Sequence, residues 1–370
     1  MGPMAPTPTC PASTTTTDLP DDVLMRVERL TTVDGFIVFD LDDVRVSAGG
    51  TRLAPDVTEA EVAHLARAMT YKFGVLGTRM GGAKAGVRAE QSEKPEVMAR
   101  YCEEIRPLYE SRTFLTGADL GTSEADFALL HTDEGDHVIR SVVDGVPFED
   151  LLTGYGVTVA AEVAVGSLEG RTVALEGFGK VGGGLAREVV RRGGRVVAVS
   201  TVAGAVHDPS GLDVERLWDL RREHGDLLVE ELGLEVRPPA ALYGVPADVV
   251  VPGARTGVID EHVAAALDAR AVVPAANVPY TEAGLRVLRE RAIPAHADFV
   301  CNAGGVIGYE SAAEATPETV LADVERRVAA LAAEAMAHPE GPFAGAVALA
   351  EDFIRSWRGD DGMPAGPPLA

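Results

Sequence analysis

The residues of the first half of the chain whose types could do chemistry are two lysines and an aspartate. Lys72 and Lys84 stand twelve positions apart (84 − 72), and Lys84 lies in residues 81–86, a run with three glycines. Because glycine has no side chain, we expect a ligand to approach Lys84 closely. Asp119 stands between glycines where an apolar step ends, a common place for active-site carboxylates. Such groups bind charged ligands and move protons, but a solvated lysine and a turn aspartate are the alternatives.

A glycine-rich turn in the second half is a more specific signal. Gly177, Gly179 and Gly182 follow a predicted strand, 172–176, and open a helix predicted to end at Arg192. A dinucleotide-binding motif requires this context. Its glycines allow the tight turn, the approach of a pyrophosphate and close packing of helix on strand, while the helix N-terminus offers free N–H groups. We therefore predict a dinucleotide site, with a structural turn as the alternative.

The same motif usually indicates which dinucleotide is bound. NAD-preferring sites carry Asp or Glu about 20 residues further on. Nineteen positions after Gly182 (201 − 182) the chain has Thr201 instead. A neutral residue does not repel a 2′-phosphate, but no arginine beside it grips one, so the choice between NAD and NADP stays open.

The elements around the two lysines are predicted from local patterns. Thr58 and Glu61 form a capping box that opens a helix. Apolar residues at helical spacing continue to Phe73, and Lys72 shares their face, so its side chain is either buried or reaches out to water. The other predicted features here are strands at 36–39 and 44–47, a break at 49–52 and a helix over 95–112.

Beyond residue 151 the predicted strands are valine-rich and alternate with helices, which indicates a buried parallel sheet. The strands are 172–176, 196–200, 248–251 and 271–273, and the helices include 157–165, 260–267 and 317–357.

Composition limits the function classes. The formal net charge of −24 argues against partners such as nucleic acid or an anionic membrane surface. The three cysteines form neither a disulfide framework nor a metal motif, which fits a reducing, cytoplasmic compartment. We also expect no membrane span and no secretion signal.

Several blocks, taken together and in order, resemble the glutamate/leucine/phenylalanine/valine dehydrogenases, which oxidatively deaminate L-amino acids to 2-oxo acids. The blocks are residues 49–52, 69–72, 81–84, 116–122, 153–157, 177–182, 276–277 and 302–306.

The resemblance implies an α/β fold in which an N-terminal α/β substrate domain and a Rossmann-like, doubly wound dinucleotide-binding domain flank a cleft. The expected segments are a disordered tail (1–18), the substrate and oligomerisation domain (19–150), the Rossmann-like domain (151–310), C-terminal helices that return to the first domain (311–358) and a loose tail (359–370). The implied partners are a small amino acid or 2-oxo acid, ammonia and further copies of the chain.

The resemblance also implies roles for individual residues. Lys84 and Asp119 resemble the catalytic lysine and the acid/base, and Lys72 the lysine that holds the substrate α-carboxylate. A partly desolvated lysine beside another cation gives up its proton more readily, and while protonated it stabilises a developing alkoxide. Other implied substrate-binding residues are Gly50, Asn302, Ala48, Gly117, Val306 and Tyr309. The implied cofactor-binding residues are Thr153, Gly177, Phe178, Gly179, Lys180, Val181, Gly182, Thr201, Asn277 and Asn302.

The predicted side-chain pocket departs from the family pattern. Where glutamate enzymes have a lysine and leucine enzymes a bulky apolar residue, this chain has Ala48; Gly117 replaces a common alanine, and Tyr309 replaces a serine or apolar residue. Glutamate would lose its charge partner, which weakens discrimination. We therefore expect a bulky, aromatic or unusual side chain, with branched-chain amino acids or glutamate as alternatives.

Two further classes of protein stay open. A catalytically idle dinucleotide-binding regulator is disfavoured because Lys72, Lys84 and Asp119 occur together. A hydroxy-acid dehydrogenase is disfavoured because the expected constellation of Arg, His and acid is missing from these blocks.

Overall fold

The computed structural model describes residues 25–130, 137–143, 145–312 and 314–370, which leaves the expected disordered tail (1–18) outside the described residues. The chain divides into two compact units. Unit 1 comprises Met1–Thr70 and Met80–His131, and unit 2 comprises Tyr71–Arg79 and Thr132–Ala370.

Unit 1 is a mixed sheet with two helices. Its elements are β1 (Arg26–Arg29), β2 (Gly35–Phe39), β3 (Ser47–Ala48), β4 (Thr51–Leu53), α1 (Glu59–Leu76, whose last residues belong to unit 2), β5 (Gly81–Val87), α2 (Lys94–Glu110) and β6 (Phe114–Leu115).

The sheet of unit 1 is built around β5, every residue of which is buried. The strand order is β1-β2-β5-β3-β6, and β4 also pairs with β5. Strands β1, β2 and β5 are antiparallel neighbours, whereas β3 and β4 run parallel to β5. In this register Lys84 of β5 lies beside Val38 of β2.

Two predictions for unit 1 are wrong in their bounds. The strand predicted at 44–47 is the two-residue β3, and the segment read as a break at 49–52 contains β4. Glycine has low strand propensity, but the backbone of Thr51–Leu53 finds its partners in β5, so tertiary pairing overrides the local signal.

The predicted capping box is half formed. The Thr58 hydroxyl accepts a hydrogen bond from the Glu61 N–H at 3.2 Å, but the Glu61 carboxylate pairs with the Arg52 guanidinium instead of capping the helix. Helix α1 therefore begins as predicted, and Glu61 is drawn to a charge on β4.

Unit 2 contains the remaining elements. They are β7 (Val142–Val143), β8 (Val146–Pro147), α3 (Phe148–Val165), β9 (Thr172–Glu176), α4 (Lys180–Arg191), β10 (Arg195–Thr201), β11 (Gly204–His207), α5 (Val214–His224), β12 (Ala247–Val251), α6 (Glu261–Ala266), β13 (Ala269–Val272), α7 (Glu282–Glu290), α8 (Asp298–Cys301), α9 (Gly304–Tyr309), α10 (Pro317–Met336) and α11 (Pro342–Arg358).

The main sheet of unit 2 has the order β11-β10-β9-β12-β13. The four strands β10, β9, β12 and β13 are parallel neighbours, and β11 is an antiparallel edge. This confirms the predicted Rossmann-like parallel sheet and gives the chain its two-domain α/β fold. No helix among the described residues is both long and apolar enough to span a membrane.

The C-terminal region differs from the prediction in two ways. The single helix predicted over 317–357 is two helices, α10 and α11, separated at Gly341, which has a φ of 94°. The tail predicted to be loose, 359–370, has buried prolines at Pro364 and Pro368, and the Ala370 N–H donates to the Tyr280 carbonyl at 3.0 Å. The last residues are therefore held against unit 2.

Candidate active site

Lys84 lies in the middle of β5 and is 5% exposed. Its ammonium donates to Oδ2 of Asp119 at 2.8 Å. Asp119 follows β6 in a loop, as expected. Its backbone N–H donates to the Thr122 hydroxyl at 2.9 Å, and that hydroxyl donates to the Thr51 carbonyl at 2.9 Å. The sheet thus fixes Lys84, and β4 fixes the loop that carries its partner.

A second cation, which no sequence motif indicates, lies beside the pair. The Nε of Arg52, on β4, is 3.6 Å from the same oxygen of Asp119. Burial alone would raise the pKa of Asp119, but the Lys84 ammonium and the Arg52 guanidinium outweigh it and hold that pKa well below its usual range. Asp119 is therefore a carboxylate at neutral pH. No local signal indicates Arg52, because β4 has only three residues and follows two glycines.

Gly50 provides room for the lysine head. A Cβ at this position would lie 3.1 Å from the Lys84 nitrogen and 2.9 Å from the Asp119 Cβ. Any larger residue would therefore crowd both catalytic candidates, and the role of Gly50 in substrate binding stays a prediction.

The glycines around Lys84 have a different role from the one predicted. A Cβ on Gly82 would lie 2.0 Å from the Ala66 carbonyl oxygen of α1, and one on Gly86 would lie 2.7 Å from the Phe36 ring. These glycines allow close packing within unit 1, so the expectation that they open Lys84 to a ligand is wrong.

The predicted dinucleotide turn of unit 2 has the geometry that a bound dinucleotide needs. Gly177 has a φ of 84°, and a Cβ on Gly182 would lie 2.1 Å from the Gly177 carbonyl oxygen, so both positions require glycine. A Cβ on Gly179 would meet only open space, and this N-cap residue of α4 has no side chain that could cap the helix. The backbone of Lys180 and Val181 is thus presented to a phosphate group.

Two other predicted cofactor residues use their side chains elsewhere. The Phe178 ring is buried and meets Trp218 edge-on at 6.0 Å, so only its backbone can face a ligand. Thr201 lies at the end of β10, where its hydroxyl donates to the Asp226 carbonyl at 2.6 Å.

Asn277 and Asn302 lie together in unit 2. The Asn302 amide nitrogen donates to the Asn277 side-chain oxygen at 2.9 Å and to the Ala275 carbonyl at 3.1 Å. The buried side-chain oxygen of Asn302 has no hydrogen-bond partner within the described part of the chain. A nicotinamide carboxamide could donate to it, so these residues fit the cofactor.

Lys72 is buried in the part of α1 that belongs to unit 2, with 6% exposure, so its head does not reach out to water. Its neighbour Tyr71 contacts the Phe299 ring at 5.6 Å. Burial raises the pKa of Asp298 to about 6, although the Val278 N–H and the Lys72 charge both lower it. Asp298 also accepts a hydrogen bond from the Val278 N–H at 2.9 Å, so one buried carboxylate supports the turn after Asn277 and is close enough to Lys72 to be affected by its charge.

The predicted substrate side-chain residues are divided between the units. In unit 1, Ala48 pairs with Leu115, and the Gly117 carbonyl accepts the Thr51 N–H at 3.0 Å. In unit 2, Val306 and Tyr309 lie on α9. Thr153 lies on α3, where its hydroxyl donates to the Glu149 carbonyl at 3.0 Å.

The site has no recognisable metal centre within the residues described: no three His, Cys, Asp or Glu side chains are grouped to hold an ion.

Comparison with family models matches both parts of the chain. Residues 145–336 match the Glutamate/Leucine/Phenylalanine/Valine dehydrogenase model, and residues 14–134 match the Glu/Leu/Phe/Val dehydrogenase dimerisation domain. The chain therefore belongs to this family. It is an amino-acid dehydrogenase, an oxidoreductase that uses NAD or NADP.

Individual relatives agree. Glutamate dehydrogenase from Aeropyrum pernix is 33% identical over 282 residues, which are 70% of this chain and 66% of that protein. The NAD-specific glutamate dehydrogenase of Staphylococcus aureus is 32% identical over 294 residues, 74% of this chain and 70% of its own.

Solved structures show the same fold. The hetero-hexameric glutamate dehydrogenase of Thermus thermophilus, in its Leu-bound form, has a TM-score of 0.75 at 25% identity, covering 93% of this chain and 89% of that one. L-Tryptophan dehydrogenase from Nostoc punctiforme has a TM-score of 0.59 at 22% identity and covers 90% and 95%.

Proposed function

We propose that the chain oxidatively deaminates an L-amino acid with a bulky, aromatic or otherwise non-acidic side chain, and catalyses the reverse reductive amination. The observation that carries the proposal is the buried contact of Lys84 with Asp119, flanked by Arg52, in a member of an amino-acid dehydrogenase family.

The bound nicotinamide supplies a hydride acceptor for the substrate Cα. We assign the remaining chemistry to side chains. The Lys84 ammonium stabilises negative charge on the oxygen that water adds at Cα. Asp119 moves protons to and from the substrate nitrogen. Lys72 binds the α-carboxylate, for which a buried ammonium is a strong partner.

Two features support the preference for a non-acidic side chain: unit 1 lacks a basic residue at the expected positions, and unit 2 carries an aromatic residue. Ala48 and Gly117 carry no group that pairs with a distal carboxylate. Tyr309 is 40% exposed and offers a ring face to a substrate. A branched-chain substrate remains a candidate, since it too is apolar.

Glutamate is the second candidate substrate, because the relatives named above are glutamate dehydrogenases. We disfavour glutamate because Ala48 stands where glutamate enzymes have a lysine, so the distal carboxylate of the substrate would lack a charge partner. A non-catalytic regulator is a third possibility, against which the Lys84–Asp119 contact speaks. We further propose that the chain is a homo-oligomer, which size-exclusion chromatography with light scattering would test.

The deciding experiment follows NADH and NADPH oxidation with ammonia and a panel of 2-oxo acids: 2-oxoglutarate, 4-methyl-2-oxopentanoate, phenylpyruvate and indolepyruvate. We expect turnover of one of the last three to exceed that of 2-oxoglutarate in kcat/KM. A clear preference for 2-oxoglutarate would reject the proposed substrate class. Cofactor binding with no ammonia-dependent turnover would favour the regulator.

The controls are single substitutions. Lys84→Met and Asp119→Asn should lower kcat about 100- to 10,000-fold while NAD(P)H still binds, as measured by fluorescence titration. Turnover without ammonia would point to a different dehydrogenase reaction.

A further inference from the structure

Helices α3 and α9 of unit 2 are joined by an acidic side chain that no predicted role uses. The Tyr309 hydroxyl, at the end of α9, donates to Oε2 of Glu149 at 3.1 Å. Glu149 lies in the first turn of α3 and is partly exposed, and Tyr309 is 40% exposed.

The backbones of the two helices place Glu149 next to the predicted ligand-binding residues. A Cβ on Gly305 would lie 3.1 Å from the Thr153 hydroxyl and 3.4 Å from Cγ of Glu149, so α9 rests directly on this turn of α3. Gly305 precedes Val306, which with Tyr309 is assigned to the substrate side chain, and Thr153 is assigned to the cofactor.

We propose that Glu149 and Tyr309 together select the substrate by the far end of its side chain: they reject a carboxylate and favour a hydrogen-bond donor. This inference rests on the proposed function and names the substrate class within it.

The chemistry of the two groups supports this selection. An ionised carboxylate only accepts hydrogen bonds, and a tyrosine hydroxyl that has donated its hydrogen to that carboxylate has only lone pairs left to offer. The pair therefore presents acceptors, and the complementary ligand group is an N–H, either neutral, as in an indole, or charged, as in an ammonium. A substrate carboxylate beside Glu149 would instead suffer like-charge repulsion.

The first test measures rejection of acid. The ratio of kcat/KM for 2-oxohexanoate to that for 2-oxoglutarate compares side chains of similar length with and without a carboxylate. We expect Glu149→Gln to lower this ratio about tenfold or more, because it removes the repelling charge and keeps an acceptor for Tyr309. Glu334→Gln, an exposed α10 residue whose loss changes the net charge equally, should leave the ratio as in the wild type.

The second test measures preference for a donor. L-Tryptophan is compared with L-3-benzothienylalanine, in which sulfur replaces the indole N–H, and L-lysine with L-norleucine. A preference for tryptophan over its isostere would show that the pair binds a neutral N–H of the substrate side chain. A preference for lysine over norleucine would show that it binds a charged one. Tyr309→Phe, which removes the hydroxyl but keeps the ring, should weaken whichever preference is found.

The outcomes separate this inference from the proposed function. If the wild type turns over a non-acidic amino acid but Glu149→Gln and Tyr309→Phe leave both comparisons unchanged, the selection by Glu149 is wrong and the function stands. If no amino acid of either test is turned over, both are wrong. Unchanged NAD(P)H affinity and melting temperature show that each variant is folded, and Tyr309→Phe carries the test if Glu149→Gln does not fold.

Discussion

The Lys84–Asp119 pair gives the sharpest prediction, because its two members should fail unequally when each is removed. Lys84→Met leaves Asp119 with Arg52, whose Nε is 3.6 Å from the same carboxylate oxygen. Asp119→Asn instead leaves two cations facing each other without the carboxylate. We expect Asp119→Asn to destabilise the protein more than Lys84→Met does.

The magnitudes follow from burial. The two side chains are only 6% and 14% exposed, and the nitrogen and oxygen are 2.8 Å apart. Removal of one partner from such a pair costs about 3–5 kcal/mol. Asp119→Asn should fall near the upper end of this range. Lys84→Met should fall near the lower end, at about 3 kcal/mol or less, because Arg52 compensates. The double variant should lose less than the sum, with a coupling of about 1–3 kcal/mol.

The assay combines urea unfolding of the four proteins of this cycle with steady-state kinetics. Both single variants should lose about 100- to 10,000-fold in kcat, since each removes a proton-transfer or charge-stabilising group. Equal stability of Asp119→Asn and wild type, or an additive double variant, would refute the description of the pair as a buried, coupled contact.

Acid titration provides a second check on Asp119. Its native pKa lies below the unfolded value of about 3.9, so the native state favours the charged form. The resulting stability is fully present above the unfolded pKa and is lost as the pH falls below it. Asp119→Asn should therefore show a shallower loss of stability in acid than the wild type.

Three further predictions test other parts of the structure. Gly182→Ala should lower both the melting temperature and the NAD(P)H affinity, because the new Cβ would lie 2.1 Å from a carbonyl oxygen. Gly179→Ala should lower only the affinity, because its Cβ meets open space, and equal effects of the two variants on the melting temperature would contradict this. Gly50→Ala should reduce kcat severely while NAD(P)H titration stays normal, because its Cβ would crowd Lys84. Burial lowers the pKa of His296 to about 4 in the native state. Since the unfolded state takes up this proton near pH 6.5, the protein should lose about 3 kcal/mol of stability as the pH falls from about 6.5 to 4. His296→Gln should remove this pH dependence of the stability measured by urea unfolding.

The parallel sheet of unit 2 could be predicted because its signals are local. Strand β9 has the predicted bounds, and the glycines after it occupy the positions their spacing indicated. The separation of α10 from α11 had a local signal too, in Pro339, Gly341 and Pro342, which the alanine-rich pattern obscured.

The residues that the sequence did not reveal are those whose role depends on contacts distant along the chain. Arg52 meets Asp119 only because β4 pairs with β5, and no pattern around residue 52 announces that partner. Asp298 reaches the Val278 N–H only through the packing of α8. Spacing indicated candidate side chains for the chemistry, but it could not identify the neighbouring charges that shift their pKa values.

Arg52 changes what Asp119 can do as a base. With two cations near one oxygen, the resting carboxylate has a low proton affinity and is a weak proton acceptor. To take a proton from a substrate ammonium, Asp119 must lose part of that stabilisation, and the only one of the two cations with a proposed role toward substrate is Lys84. We propose that the Lys84 ammonium stabilises Asp119 less when it interacts with a developing oxyanion on the substrate, so that the pKa of Asp119 rises at the same step. The pH dependence of kcat then belongs to the pair and not to either residue alone.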